Sequence, residues 1–487
     1  MPADPEVADS RISREFMLRH RVCPVASEAP GRLTLSIAPG HNALAIDAIG
    51  RLTGREIDTR SASDSELEQQ IERIAAVRTR SAESEVLSQE EDLSLEDVRE
   101  LANQPPVARY VNLLLREAYD AEASDIHLEA TRSGMVVRFR LDGVLQPAPE
   151  APRQLQLAVV SRLKAMAALD VTERRRPQDG RIRIRLEERE LDLRLATVPT
   201  IHGESVVLRL LDRGGRPVGL EQLGMPPALL GRALTAAARP HGLVLVTGPT
   251  GSGKTTTLYA ALQLRSAATE KIITVEDPVE YQLGNVAQVP VHRQTGVTFA
   301  AVLRAILRQD PDVVMVGEMR DSETAGIAVQ AAMTGHLVLS TLHTNDAFGA
   351  IARLADLGVD RYLVSATLEL IVAQRLVRKL CDACAEWSEV DGSTAALVAA
   401  RPIGTARLRR PVGCTLCRGT GYRGRTGVFE ALVMTDALRQ LVTAGADSIA
   451  LKEAAAHEGF VPLRQHGWAL CESGVTTLEE VTRAIAI

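Results

Sequence analysis

Leu243-Val-Leu-Val246-Thr-Gly248-Pro249-Thr250-Gly251-Ser252-Gly253-Lys254-Thr255-Thr256 is the stretch on which the fold turns. Leu243 to Val246 is a short, wholly apolar run, and Thr256 to Leu264 follows with helical spacing, so the segment predicts strand, glycine loop, helix. The loop between them matches the G-x-x-x-x-G-K-[ST] phosphate-binding pattern in full. Gly248, Gly251 and Gly253 let the backbone wrap closely enough for successive N–H groups to point at phosphate oxygens. The helix adds the positive end of its dipole to the same anion. Lys254 is expected to reach the β and γ phosphates of ATP, and Thr255 to hold Mg²⁺. The alternative is a glycine turn that merely joins two elements; the register of both flanks argues against it.

Outward from this loop, Ile272–Val275, Val313–Val316 and Leu337–Ser340 are further short apolar strands separated by helical stretches. That pattern predicts a parallel sheet buried on both faces. Ligands of such sheets lie beyond the carboxyl ends of the strands. Glu276-Asp277-Pro278-Val279-Glu280 and Gly317-Glu318 sit at two such ends. Glu318 is expected to position and activate the attacking water, and Glu276 and Asp277 to orient Mg²⁺ or its waters. A loop with a helix cap remains the alternative for the latter two. Arg304 and Arg308, four apart before a strand, are expected to share a helix face, and Arg181 and Arg194 lie further upstream. All four are candidate transition-state fingers or, alternatively, surface ion-pair partners. His336 and His343 flank the strand Leu337–Ser340; a γ-phosphate sensor and a hydrogen-bonded core histidine both fit.

Cys381-Asp-Ala-Cys384 and Cys414-Thr-Leu-Cys417 form two C-x-x-C pairs. Two thiolates on each of two tight turns make a closed four-sulfur site that favours a structural Zn²⁺. Disulfides, which a cytosolic chain should lack, or a redox pair are the other readings. Cys23 and Cys471 read as ordinary buried thiols.

Upstream, Pro105 to Asp212 predicts an α+β unit: a helix over Val107–Ala121, then strands over Asp125–Glu129, Met135–Leu141, Arg181–Leu186, Leu191–Thr197 and Ser205–Leu211. Residues 1–80 predict a small α/β domain, with a strand at Arg32–Ile37 and helices at Asn42–Leu52 and Asp64–Val77. Residues 81–104, rich in Ser and Glu, predict an exposed acidic linker. The 487 residues carry a net charge of −6 and only 3% aromatics, which disfavours both a phosphate-gripping basic face and a base-stacking track. No stretch approaches the roughly 20 apolar residues that cross a bilayer, and Met1–Ser10 lacks a secretory-signal pattern, so a cytoplasmic location is expected.

Residues 101–487 resemble the secretion ATPases of the type II secretion and type IV pilus class, most closely the general secretory pathway protein E branch. The resemblance rests on Ala123-Ser-Asp-Ile-His-Leu-Glu129, Pro177-Gln-Asp-Gly-Arg181, the phosphate loop, Glu276–Glu280, Gly317-Glu318, Thr334–His343 and the four cysteines. It implies a RecA-like ATPase domain at 216–487 with a tetracysteine subdomain at 379–427, a PAS-like second domain at 105–215, and an N-terminal docking domain. It also implies a homo-hexamer with ATP between the second and third domains, served by arginines at Arg181, Arg194, Arg304 and Arg308. Its implied partners are an inner-membrane platform protein and a cytoplasmic domain of another membrane component, through which alone the chain would meet the membrane. The Asp312-Val-Val-Met-Val-Gly-Glu318 strand carries no aspartate at its end, unlike the general NTPase form. Four functions stand against one another: a type II secretion ATPase, a pilus-assembly or DNA-uptake ATPase, a nucleic-acid translocase, and a regulator that binds ATP without hydrolysing it.

Overall fold

The computed structural model describes residues 12, 14–25, 32–71, 74, 104–151, 155–186, 189–212, 218–265, 267–292, 295–390 and 407–485. The expected acidic linker lies outside the described residues apart from Gln104. The chain divides into two compact units, Met1–Asn103 and Gln104–Ile487.

In the first unit, strands β1 (Val22–Val25), β2 (Arg32–Ile37) and β3 (Glu56–Ser61) form one sheet in that order, antiparallel then parallel. Leu33 and Leu35 of β2 are buried, as their alternation predicts. Sequence reading missed β1, which contains a proline, and β3, whose residues are largely exposed and carry no apolar alternation. Helices occupy Arg14–His20 and Ala43–Thr53, and residues 64–71 are helical.

The second unit opens with two parts that carry separate sheets. The first has the order β6-β5-β4-β9-β8-β7, antiparallel throughout, from β4 (Asp125–Thr131), β5 (Gly134–Leu141), β6 (Val144–Pro147), β7 (Gln178–Leu186), β8 (Arg189–Thr200) and β9 (Gly203–Asp212). Helix Pro105–Asp120 begins on prolines, which need no N–H at that end, and helix Gln156–Met166 was not anticipated. Alternate residues Ile126, Leu128, Val137, Phe139, Leu193, Leu195, Val206 and Leu208 build the core side. On the opposite side the pairing register sets Arg181, Arg194, Arg209, Asp125 and Arg140 in one row across five strands.

The last part holds the expected parallel sheet, in the order β12-β11-β13-β14-β10-β15-β18. Its strands are β10 (Gly242–Thr247), β11 (Ile272–Glu276), β12 (Ala287–Pro290), β13 (Val313–Val316), β14 (Leu337–Leu342), β15 (Leu368–Leu380) and β18 (Tyr422–Val433), with β16 (Glu386–Glu389) and β17 (Arg407–Arg410) forming a separate hairpin-like pair. Every residue of β10, β11, β13 and β14 is buried, the signature of helices on both faces. The sequence did not reveal that β18 closes the sheet antiparallel to β15. β15 pairs with β10 only as far as Ala373; from Gln374 to Leu380 its partner is β18. The two strands therefore run beyond the sheet as a ribbon that ends at Cys381.

Candidate functional site

The phosphate loop lies where parallel-sheet logic puts it, between the carboxyl end of β10 and helix Lys254–Leu262. That helix starts two residues earlier than its spacing suggested, so Thr255 and Thr256, both half-buried, belong to its first turn. Gly251 and Gly253 have φ of 79° and 86°, a conformation that side chains resist. At Gly248 a Cβ would stand 2.5 Å from the Gln374 carbonyl oxygen, so only glycine fits. Pro249 and Thr250 complete the outer turn. Two features fit this loop to a triphosphate. The Ser252 hydroxyl is buried without a hydrogen-bond partner, and the Lys254 ammonium donates to the loop's own carbonyls, Gly248 O at 2.8 Å and Pro249 O at 3.0 Å. Burial pushes Lys254 down to about 8, with Glu318 opposing and Arg375 adding to the fall. An anion would relieve that cost.

Glu318 leaves β13 beside this lysine and is nearly buried. Its Oε2 takes a hydrogen bond from Arg320 Nε at 2.6 Å and stands 3.4 Å from His343 Nε2. Burial and the nearby Lys254 lower the His343 imidazole, against the pull of Glu318. Lys254, Glu318 and His343, from three different strand ends, therefore meet. Arg320 joins them without having been anticipated; its place two residues beyond Glu318 was the available signal.

Two residues of the arginine row, Arg194 and Arg209, lie near the Glu276–Glu280 stretch that follows β11. Arg194 is lowered by burial and by Arg181, while Glu280 and Asp277 oppose the shift. Glu280 is in turn raised by burial, with Arg194 and Arg209 opposing. The Arg194 Nε is buried and unpartnered. Arg209, ion-paired to Asp125 at 3.0 Å, extends the row and was missed because a single arginine inside a strand carries no motif.

Three expectations need correction. The Glu276 carboxylate is buried and accepts hydrogen bonds from Tyr259 Oη, Thr274 Oγ1 and Gln288 Nε2 at 3.1 Å, so it ties the phosphate-loop helix to β11 rather than facing a metal. His336 precedes β14, at the amino end of the sheet, opposite its own chain's phosphate loop. There its Nδ1 lies 3.0 Å from Ala331 O, and its backbone carbonyl accepts from Gly242 N. Asp312, likewise at the amino end, accepts from Lys271 N at 2.7 Å. Finally, helix Phe299–Ile306 stops before Arg308, so Arg304 and Arg308 do not share it; Arg304 is half-exposed and ion-paired with Glu323 at 2.6 Å.

The four cysteines converge at the end of the β15–β18 ribbon. Their sulfurs all lie within 4.8 Å of one another. Three separations are 3.9, 3.8 and 3.7 Å. A tetrahedron of thiolates about 2.3 Å from zinc has edges of about 3.8 Å, so these three separations match the ion's geometry. Disulfides are excluded by the same distances. Backbone N–H groups of Gly413, Cys414 and Gly421 donate to the sulfurs at 3.3, 3.1 and 3.1 Å. Burial opposes the thiolate at Cys417, but those from Cys414 and Gly421 hold its thiol down to about 6. Cys23 and Cys471 are buried.

Comparison with known proteins bears on the whole chain. Residues 100–483 match the family described as Type II/IV secretion system protein, and residues 1–81 match the MshEN domain. The Type II secretion system protein E of Xanthomonas campestris is 46% identical, covering 98% of this chain and 85% of its own length. The type IV pilus assembly ATPase PilB of Myxococcus xanthus is 44% identical, covering 96% and 85%. Among solved structures, the pilus retraction motor PilT with bound ADP is 29% identical with a TM-score of 0.54, covering 76% of this chain and 96% of that one. The Legionella pneumophila ATPase DotB, 20% identical with a TM-score of 0.57 over 77% and 94%, shares the fold. The architecture is that of a multidomain α/β protein with a RecA-like core.

Proposed function

The chain belongs to the Type II/IV secretion system protein family, and on that premise we propose that it is the ATP-hydrolysing motor of a type II protein secretion machine, acting in pseudopilus assembly. The observation that carries this reading is the meeting of Lys254, Glu318, His343 and Arg320 at the mouth of a complete phosphate loop. Bound ATP with Mg²⁺ would supply the phosphoanhydride whose cleavage drives the machine. Main-chain N–H groups from Gly251 to Thr255 and the Lys254 ammonium would hold its phosphates, and Thr255 its metal. Glu318 accepts a proton from water at its carboxylate, oriented by Arg320 and His343. In this reading Arg181 and Arg194 would serve the site from the second domain, and Arg304 and Arg308 would serve a neighbouring subunit's site in a homo-hexamer. The four cysteines hold a structural Zn²⁺.

In this reading 1–80 docks a cytoplasmic domain of a membrane component, 105–215 is PAS-like, and 216–487 carries the motor and passes force to an inner-membrane platform protein. No described helix is long and apolar enough to cross a membrane. In this reading the chain meets the inner membrane through partners, from the cytoplasm. The similarity to the Myxococcus pilus assembly ATPase over nearly the whole chain supports a second reading, pilus assembly or DNA uptake. A clean deletion in the source bacterium distinguishes them: loss of secreted proteins with pili intact supports type II secretion, and loss of pili with secretion intact supports the alternative. Purified protein without Mg²⁺-dependent ATP hydrolysis, even with its membrane partner, defeats both. The net charge of −6 weighs against a nucleic-acid translocase; hydrolysis stimulated by DNA and steeply suppressed by salt would restore it.

A further inference from the structure

We propose that Gln374 and Arg375, where β15 leaves the sheet, are positioning residues that lock the phosphate loop in its nucleotide-competent shape and tie it to the turn after His343. This rests on the nucleotide reading above. Both side chains are buried, at 2% and 7% exposure, in a place no motif marks. The Gln374 Oε1 accepts from Thr257 Oγ1 at 2.6 Å, one turn into the phosphate-loop helix. Its Nε2 lies 2.8 Å from where a Cβ on Gly253 would stand. The Gln374 backbone carbonyl lies 2.5 Å from the corresponding point on Gly248. Thus both ends of the loop close against one residue of β15, and at Gly248 that strand's own carbonyl leaves no room for a side chain.

Arg375 extends the clamp. Its Nη1 donates to Gln374 O at 3.0 Å, and its Nη2 donates to Asn345 O at 2.9 Å, two residues beyond His343. One guanidinium thereby bridges the β15 carbonyl against which Gly248 packs and the turn after the histidine, and its Nη1 stands 3.2 Å from where a Cβ on Gly248 would be. Its charge also bears on Lys254, which faces Glu318 from β13, His343 from β14 and Arg375 from β15. Arg375 and burial lower the ammonium and Glu318 raises it, so removing the guanidinium moves the lysine's titration to higher pH.

The test uses the full-length protein and a fluorescent ATP analogue, with hydrolysis measured alongside. Thr257→Val deletes the hydroxyl at constant shape, and Thr257→Ser restores it. A loop released from its clamp is competent for a smaller fraction of the time, so the dissociation constant should rise roughly three- to tenfold for Thr257→Val. It should return towards wild type for Thr257→Ser. Arg375→Gln should weaken binding and shift the alkaline loss of affinity upward, whereas Arg375→Lys should leave that limb in place. Wild-type affinity and an unmoved pH profile in both Thr257→Val and Arg375→Gln, with only the melting temperature changed, would overturn the proposal. Failure of the nucleotide reading looks different, since the wild-type protein itself would then bind no nucleotide.

Discussion

At the residue scale, Lys254 shows how a site is built at a cost to its empty state. Its ammonium is buried against carbonyls of its own loop and sits beside one carboxylate, Glu318. A triphosphate is the partner that this charge lacks. Lys254→Ala should therefore abolish nucleotide binding and hydrolysis, read by filter binding and phosphate release. Because the lysine is held at about 8, well below its ordinary 10.5, affinity in the wild type should decline as pH climbs through 8 to 9. A nucleotide titration that stays flat from pH 7 to 10 would contradict the assignment. Glu318 makes a separable prediction. Glu318→Gln keeps the shape but cannot accept a proton, so turnover should fall by about a hundredfold or more while ATP remains bound. Trapped nucleotide after rapid desalting checks it, and wild-type turnover would remove Glu318 from the role of base.

At the scale of elements, the ribbon of β15 and β18 joins the phosphate loop to the cysteine centre. Two fastenings hold it. At its end are the four sulfurs. Along its side Glu480, on helix Leu478–Ile485, accepts from Arg378 Nη2 at 2.6 Å and Arg483 Nη2 at 2.7 Å. Burial opposes the charge, yet these arginines hold the Glu480 carboxyl at about 2. A depressed carboxylate stabilises the fold above its ordinary titration range and loses that contribution as pH falls towards the folded value. Glu480→Gln should thus cost about 3 kcal/mol at pH 7. The deficit should shrink between about pH 4.5 and pH 2, which denaturant unfolding at several pH values would show. Cys414→Ser should lose zinc, measured by elemental analysis, and lower the melting temperature before it alters nucleotide binding. Freshly purified wild-type protein without zinc would refute the metal site. These elements also show what the sequence disclosed. The phosphate loop, the buried strands and the cysteine pairs are contiguous patterns, so local spacing revealed them. The antiparallel closure by β18, the Gln374–Arg375 clamp and the arginine row arise from pairing between distant segments, and no local period encodes such register. His336 was misplaced for a related reason: a strand end is visible in sequence, but which end faces the ligand follows from strand direction in the assembled sheet.

At the scale of the whole molecule, the described contacts separate two groups of arginines. Arg194 is sensed by Asp277 and Glu280 of its own chain, and Asp142 on the β5–β6 turn accepts from Gly424 N at 2.8 Å and pairs with Arg425, so the antiparallel sheet leans on its own chain's motor domain. Arg304 behaves otherwise: it is half-exposed and bound to Glu323 on the same surface. In a closed ring with head-to-tail contacts, such a surface residue is available to the neighbouring subunit's site. Lys254 and Glu318, by contrast, meet within one chain. Two inactive variants, Lys254→Ala and Arg304→Ala, should therefore rescue each other when co-assembled. A site is whole wherever an intact loop meets an intact Arg304, which at equal mixing is about a quarter of all sites. Lys254→Ala mixed with Glu318→Gln should recover nothing, because every complete site needs both residues from the same chain. Hydrolysis in the first mixture and none in the second establishes Arg304 as a finger given to the next subunit. Silence in both returns it to the status of a surface ion pair, and recovery in the second would mean that the Lys254–Glu318 pair is itself split between chains.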